Sequence, residues 1–508
     1  MAVNQIKAGA VLNYVIIGLN TIVGLAYTPY MLRCLGQNEY GLYSLVASII
    51  AYLTILDFGF GNAIVRYTAK FRAQGKKKEQ WEMFGMFLIV YSFIGLIAIG
   101  GGLALYFNMD ALFDRTMTDS DLSQAKIMML LLTFNLAFTF PLSIFGSIIT
   151  AYENFVFQRL VNIFRIIFST GVLVLVLAIG FKAVALVVVQ TAFNLLTLLI
   201  NLIYCKKRLK IKVVFGKFNW PFIKEISVYS FWIFLNAIMD RVYWGTGQFI
   251  LGSLVGTTAV AIFSIGILFQ QMYMSFSYAF SSVLLPKLTS MITLKTSDKE
   301  LSDIFIRTGR LQSIVLQYIL CGFIIFGLPF TIFWAGEDYS DAYYITLLFM
   351  TSLYIPAIQS TGIIILQAKN QLKFRTLLFL GISIISIIMQ SILSIKYGAI
   401  GCAIGISLTL ILGQGLVINI YYKIKQKLDI LSFWKEIAKM WLPVIPYLLI
   451  VYTLNISFKY ESIIQVLIGA FCFSVIYIPL SFKFILNNQE QALITSPLRA
   501  IISKIFKT

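Results

Sequence analysis

Fourteen apolar stretches punctuate the 508 residues, each about as long as a bilayer crossing. They run roughly over 11–33, 40–64, 83–107, 127–150, 160–181, 183–204, 226–253, 258–285, 311–334, 342–366, 377–395, 398–422, 440–457 and 462–485. A helix needs about 20 apolar residues to cross the hydrocarbon core. Without water to satisfy backbone groups there, only helices or closed barrels can cross. These stretches have helical length, so the expected fold class is an all-α polytopic membrane protein with about 14 transmembrane helices. Composition agrees. Charged residues make up 12% of the chain, about half the share of an ordinary soluble protein. A soluble enzyme is thereby excluded. The 43 Phe and 27 Tyr exclude disorder.

The net charge of +19 suggests a nucleic-acid binder at first sight. Its distribution gives another reading. With a cytoplasmic N-terminus, 33 of the 40 Lys and Arg fall in cytoplasmic loops and termini, 6 fall outside, and Arg241 lies within a span. The cytoplasmic set includes Arg66, Lys76 to Lys78, Lys206 to Arg208, Arg165, Arg310 and Lys423. This is the positive-inside pattern. It supports an even number of spans with both termini cytoplasmic. No nucleic-acid partner is expected. The first stretch is too long for a signal peptide and lacks a small-residue cleavage site, so it is expected to remain as the first pass. The five cysteines are scattered without metal or redox spacing, and no phosphate-binding P-loop is present.

An internal repeat divides the spans. Gly36-x-x-x-Tyr40-Gly41-Leu42-Tyr43-Ser44 matches Gly256-x-x-x-Val260-Ala261-Ile262-Phe263-Ser264 at an offset of 220. Pro141 matches Pro356, and Asn154 with Arg159 matches Asn370 with Arg375, at offsets of 215 and 216. Six helices return the chain to its starting side, so the two blocks are parallel, as in many alternating-access transporters. The expected domains are a six-helix lobe over 1–210, a second over 211–425, and two additional helices with a basic cytoplasmic tail over 426–508. Leu498, Ile501, Ile502, Ile505 and Phe506 give that tail an apolar side. It is expected either to lie on the anionic inner leaflet or to be solvated.

Several motifs carry a family resemblance. Leu12-Asn13-Tyr14, Tyr27-Thr28-Pro29, Arg33-x-Leu35-Gly36-x-x-Glu39-Tyr40-Gly41-Leu42-Tyr43, Leu56-Asp57-Phe58-Gly59 and Arg66-Tyr67 form one set. Asp240-Arg241-Val242-Tyr243-Trp244, Gly252 and Gly256-Thr257-Thr258-Ala259-Val260-Ala261 open the second half. Together they resemble bacterial polysaccharide flippases (Wzx-type) of the superfamily that also holds multidrug extruders and lipid II flippases. The resemblance implies two six-helix lobes around a cavity that alternates between the membrane faces. The implied cargo is an oligosaccharide on a polyprenyl-pyrophosphate carrier, moved from the inner to the outer leaflet of the bacterial cytoplasmic membrane. Gly247 stands where many relatives carry an acid, so an ion route through an acid at that position is not expected here.

An anionic phosphate crossing the membrane calls for buried positive charge, and no covalent chemistry. Arg241 is the leading candidate. An arginine near a span's centre costs roughly 2.5–3.5 kcal/mol on insertion scales and usually faces a cavity or a partner. Asp240 is its neighbour, pointing about 100° away. Arg66 and Arg165 could form a basic entrance at the inner face or snorkel to it. Arg33 could serve the exit or anchor the outer end. Asp57, within span two, could bind a coupling proton or sodium ion, or make a structural bond, for example to Arg66 or Arg165. Gly59 and Gly61 beside it favour a bent or close-packed helix. Asn13, Asn20, Asn135, Asn194, Asn236, Gln190, Gln248, Gln270, Gln271 and Gln359 could line a hydrophilic cavity or bridge helices.

No catalytic residue, metal site or cofactor is expected, apart from an H+ or Na+ coupling ion. The expected partners are the lipid-linked glycan, membrane lipids and polysaccharide assembly proteins. The first alternative is a multidrug or organic-cation antiporter, which calls for an acidic or apolar cavity. A membrane enzyme acting on lipid-linked sugars, such as a polymerase or ligase, is the second. The largest outer loop, Asn108 to Lys126, reads as a solvated acidic loop through Asp110, Asp114, Asp119 and Asp121. The chain has no histidine to act as acid or base.

Overall fold

A computed structural model describes residues 5–216, 220–281, 288, 291–292, 294, 296–369, 371–456, 458–492 and 495. Lys217, Lys287, Lys295, Asn370 and the apolar positions of the tail from Leu498 onward lie outside the described residues. No strand occurs among the described residues. The helices are α1 (Gln5–Leu53), α2 (Phe60–Ala73), α3 (Lys77–Phe113), α4 (Asp119–Ala151), α5 (Phe155–Ala178), α6 (Ala183–Lys207), α7 (Trp220–Leu254) and α8 (Thr257–Ser281). They continue as α9 (Asp298–Ala335), α10 (Asp341–Ile358), α11 (Ser360–Ala368), α12 (Leu372–Leu410), α13 (Ile418–Ile424), α14 (Ile430–Trp441), α15 (Val444–Ile456) and α16 (Ile463–Phe484).

Among the described residues, eleven segments are long and apolar enough to cross a membrane. Two of them are too long for one pass. Val11–Ala73 and Lys373–Ile424 contain 63 and 52 residues, roughly 95 and 78 Å if straight, against a core of about 30 Å. Each breaks at a glycine of positive φ, Gly36 at 75° and Gly398 at 57°, and so holds two passes. α7 covers the stretch expected at 226–253. With it, the passes number the fourteen read from the sequence. Many large apolar side chains face outward, Phe107, Ile179 and Phe471 among them, as a lipid-facing surface requires and a water-facing one would not tolerate.

Positive-φ glycines also mark the repeat. Gly36 and Gly256, the matched pair of the motif, both take positive φ, 75° and 128°. Gly180 and Gly398 do the same at an offset of 218, with φ of 95° and 57°.

The chain forms two compact units, Met1–Ser264 with Ser394–Ala399, and Ile265–Leu393 with Ile400–Thr508. In the first, α4 packs against α1, α2, α3 and α6, while α1 also packs on α5 and α7. Gly41 of the repeat motif permits a further approach, of α1 to the start of α8. A methyl at its Cα would overlap the backbone carbonyl of Thr257. In the second, α9 is the central helix and touches α10, α11, α14, α15 and α16. Its core is built around Phe305, Tyr354, Tyr422, Phe433 and Phe473.

The outer loop departs from the expectation of a solvated acidic segment. Asp121 is buried. It completes a capping box with Thr118 at the start of α4 and accepts a hydrogen bond from Asn38 at 2.8 Å. Helix starts leave backbone N–H groups unpaired, and a carboxylate there satisfies them. Asp110 pairs with Lys126 at 2.6 Å.

Candidate functional site: a polar cavity in the first unit

Three helices of the first unit each carry a polar pair spaced i, i+4, which places both members on one face. These are Asn135 and Thr139 on α4, Arg165 and Ser169 on α5, and Gln190 and Asn194 on α6. All six line one cavity of about 510 Å³, together with Asn20, Thr54 and Thr170. The amides are held in place. Asn194 Nδ2 donates to Asn135 Oδ1 at 2.7 Å and to Thr139 Oγ1 at 2.8 Å. Gln190 Nε2 donates to the Tyr43 hydroxyl at 2.8 Å.

Among the described residues, Arg165 is the one ionic group lining this cavity. The sequence placed it near the inner end of span five. α5 begins earlier, at Phe155, so Arg165 is the eleventh of its 24 residues, about 15 Å along a helix of roughly 36 Å. Its side chain is exposed and borders the cavity. No carboxylate lines the cavity among the described residues. A guanidinium among amides and hydroxyls leaves an excess positive charge and several donors, the chemistry that receives a phosphate or carboxylate. Asn20, Asn135, Asn194 and Gln190 were legible as cavity candidates. Thr54, Thr139, Ser169 and Thr170 were missed, although the i, i+4 relation of Thr139 to Asn135 and of Ser169 to Arg165 was available.

Asp57 sits at a break in the second pass. A 3₁₀ turn, Thr54–Asp57, ends in Phe58 at φ 52° and Gly59 at φ 71°, and α2 starts at Phe60. Two successive left-handed residues cannot continue a right-handed helix. Broken helices at membrane depth are tolerated where protein or a cavity surrounds them. Asp57 Oδ1 accepts from the Tyr91 hydroxyl at 2.6 Å, and the backbone of Gly59 is a further donor. Tyr91 is fully buried. The structural bond expected for Asp57 therefore exists, but its partners are a tyrosine and a backbone amide rather than Arg66 or Arg165. The break itself is what Gly59 foreshadowed.

The other candidates stand apart from the cavity lining. Asp240 and Arg241 are exposed on α7. Arg241 lies within electrostatic range of Tyr52, whose hydroxyl bonds Thr246 at 2.7 Å. Arg66 is exposed on α2, with its guanidinium 5.8 Å from the Tyr67 ring centre. Arg33 is exposed on α1, three residues before the Gly36 break.

Some amides bridge helices instead. Gln248 donates to Ser264 at 2.8 Å. Gln359 is buried and exchanges hydrogen bonds with Asn419 at 2.8 and 3.1 Å. The side chain of Asn236 lies outside the described residues. In the second unit, Arg310 departs from its expected place in a cytoplasmic loop. It is buried in α9, bonded to Glu490, Glu436 and the Ile485 carbonyl.

Comparison with known proteins bears on this arrangement. The model of the polysaccharide biosynthesis protein family matches residues 6–292, more than half of the chain. The chain belongs to the polysaccharide biosynthesis protein family. A Shigella flexneri relative, whose name assigns it to O-antigen transport, is 20% identical over 419 residues, 79% of this chain and 94% of the relative. Among solved structures, the lipid II flippase MurJ in an inward closed conformation aligns with a TM-score of 0.67 at 19% identity, covering 93% of this chain and 99% of that one. An inward-facing multidrug transporter of the MATE family aligns with a TM-score of 0.60 at 13% identity, covering 81% and 99%. The fold of this member of the polysaccharide biosynthesis protein family is thus like that of MurJ and of the MATE transporter. It is a multi-pass membrane protein, and the polar cavity lies wholly within the segment matched by the family.

Proposed function

We propose that the chain is a flippase that carries a polyprenyl-pyrophosphate-linked oligosaccharide from the inner to the outer leaflet of the bacterial cytoplasmic membrane by alternating access. Both termini are cytoplasmic in this reading. One observation carries it. The cavity of the first unit is lined by Arg165, amides, hydroxyls and apolar side chains such as Val23, Leu136 and Phe193, with no carboxylate among the described residues. A group with excess positive charge at membrane depth suits an anionic cargo. An exporter of organic cations would place an acid there. The related O-antigen and lipid II proteins point the same way. The work is translocation rather than bond-making, and H+ or Na+ at Asp57 is the proposed coupling ion. The two six-helix lobes over 1–210 and 211–425, with the additional helices over 426–508, are the proposed moving parts. Assembly proteins for the polysaccharide are proposed partners.

The test uses the host with its gene deleted. Lipid-linked repeat units accumulate on the inner leaflet and surface polysaccharide disappears. The wild-type gene restores export, and an Arg165→Gln copy expressed to the same level does not. Unchanged surface polysaccharide in the deletion strain, with altered export of organic cations instead, would overturn the reading.

A further inference from the structure

We infer that the second unit carries a saccharide-binding site of its own, in a cavity of about 770 Å³ where α9, α10 and α15 end or begin. The volume falls within the roughly 300–1,000 Å³ range of sites that hold a small organic ligand. Four tyrosines, Tyr343, Tyr344, Tyr452 and Tyr460, and two carboxylates, Glu337 and Glu461, line it beside Asn455 and apolar side chains of α9, and no Lys or Arg is among its described lining residues.

Two of the rings are held by hydrogen bonds from their hydroxyls. The Tyr343 hydroxyl donates to the Ile324 carbonyl at 3.1 Å, and its ring meets that of Tyr344 edge-on at 5.0 Å. The Tyr460 hydroxyl bonds Asn455 Oδ1, and Asn455 Nδ2 in turn donates to the Ile325 carbonyl at 2.9 Å. Tyr344 and Tyr452 remain 46% and 40% exposed, too open for core packing. Aromatic faces offer apolar contact to the C–H side of a sugar ring. An ionised carboxylate only accepts hydrogen bonds, and sugar hydroxyls donate them.

The charge decides which part of a glycolipid fits. With two acids and no base, this cavity repels phosphate and accepts a neutral or amino sugar. An isolated ammonium group also favours rings and acids, but it would fill little of 770 Å³. Glu337 follows α9 and Glu461 precedes α16. In the expected orientation both turns lie on the outer face. The site there would hold the sugar end of a cargo that has crossed. That assignment rests on the flippase reading, whereas saccharide binding itself does not.

The experiment uses the full-length protein in nanodiscs and saturation-transfer NMR. The probe is the oligosaccharide freed by mild acid from the host's own lipid-linked saccharides, with choline and tetraphenylphosphonium as cationic controls. Saturation is expected on the sugar ring protons and not on the controls. Tyr452→Ala, Tyr344→Ala and Glu461→Gln should each weaken binding at least tenfold without altering gel-filtration behaviour. Three results would overturn the site: no transfer to the oligosaccharide, transfer unchanged in all three variants, or displacement of the oligosaccharide by tetraphenylphosphonium. Leaflet-to-leaflet movement is measured separately in proteoliposomes. A chain that binds the oligosaccharide but moves no glycolipid loses the flippase reading and keeps the site. One that moves glycolipid without binding the oligosaccharide keeps the function and loses the site.

Discussion

The guanidinium of Arg310 grips the carboxylate of Glu490 with two parallel hydrogen bonds, Nε to Oε1 at 2.8 Å and Nη2 to Oε2 at 2.9 Å. Both side chains are buried, at 6% and 2% exposure. Nη1 reaches Glu436 at 2.9 Å, which is itself paired with Lys439. This cluster ties the segment after α16 to α9 and α14. Removing one partner of a buried pair leaves the other charged and unpaired, at a cost of roughly 3–5 kcal/mol. Glu490→Ala should therefore lower the thermal unfolding midpoint of the detergent-solubilised protein markedly. Glu436→Ala, at a half-buried site, should lower it less. Equal midpoints for Glu490→Ala and the parent would show that the pair does not hold the segment.

Gly41 lies against the Thr257 backbone so closely that no Cβ fits. The neighbour is a carbonyl, which cannot swing aside as a side chain can. Gly41→Ala should cost about 1–3 kcal/mol by overpacking, seen as reduced yield of folded protein. Gly18→Ala is the control, because nothing lies within 4 Å of that position. It should be neutral or slightly stabilising, given the helix propensity of Ala over Gly.

Asp429 stands outside the spans as the N-cap of α14, its Oδ1 accepting from the Ser432 amide at 3.0 Å. Hydrogen bonding from the Ser432 side chain and backbone holds its carboxyl below the usual range. A carboxylate with a depressed folded-state pKa stabilises above its ordinary pKa, and that contribution is lost as pH falls through the folded value. Asp429→Ala should lower the midpoint slightly at pH 7, by the order of 1 kcal/mol typical of a cap. The difference should vanish in acid. A difference that does not shrink as pH falls through and below the carboxylate range would argue against the cap.

Arg165 and Arg241 separate two ideas about cargo binding. Arg165 lines the polar cavity, while Arg241 is exposed on α7 near Tyr52. Arg165→Lys keeps the charge but loses the planar fork that suits phosphate. It should reduce export severalfold, and Arg165→Gln should abolish it. Arg241→Ala should also abolish export while leaving protein in the membrane. Surface-glycan staining against membrane protein level reads both. Normal export by Arg241→Ala would remove that residue from the cargo path.

How much of this was legible in the sequence depends on the range of the interaction. Span number followed from apolar length, because the bilayer acts on each helix separately. Gly36 and Gly256 marked the repeat because a positive φ is a local demand. The Asn and Gln residues of the cavity were visible as polar groups in apolar runs. Their grouping was not, since α4, α5 and α6 meet only in three dimensions. Arg310 is the sharpest case. Its position looked like a loop because its partners, Glu436 and Glu490, are 126 and 180 residues away. Asp57 was recognised as an acid within a span, but its partner Tyr91 lies on α3, one aromatic among many.

That bond between Asp57 and Tyr91 frames the test of coupling. The carboxylate sits beside a helix break, where a small ion could meet freed backbone carbonyls as well as the acid, the arrangement that transporters use for Na+ and H+. Asp57→Asn keeps the shape and removes the charge. If the ion binds there, gradient-driven flipping in proteoliposomes should fall to the rate seen without a gradient, while saccharide-lipid binding persists. Tyr91→Phe keeps the ring but deletes the donor at 2.6 Å. It should leave the protein folded and shift the pH or sodium dependence of transport, because hydrogen bonding to a carboxylate favours its charged form. A purely structural role predicts a different pair of results: both variants lose stability, and the pH and sodium profiles of whatever transport remains are those of the parent.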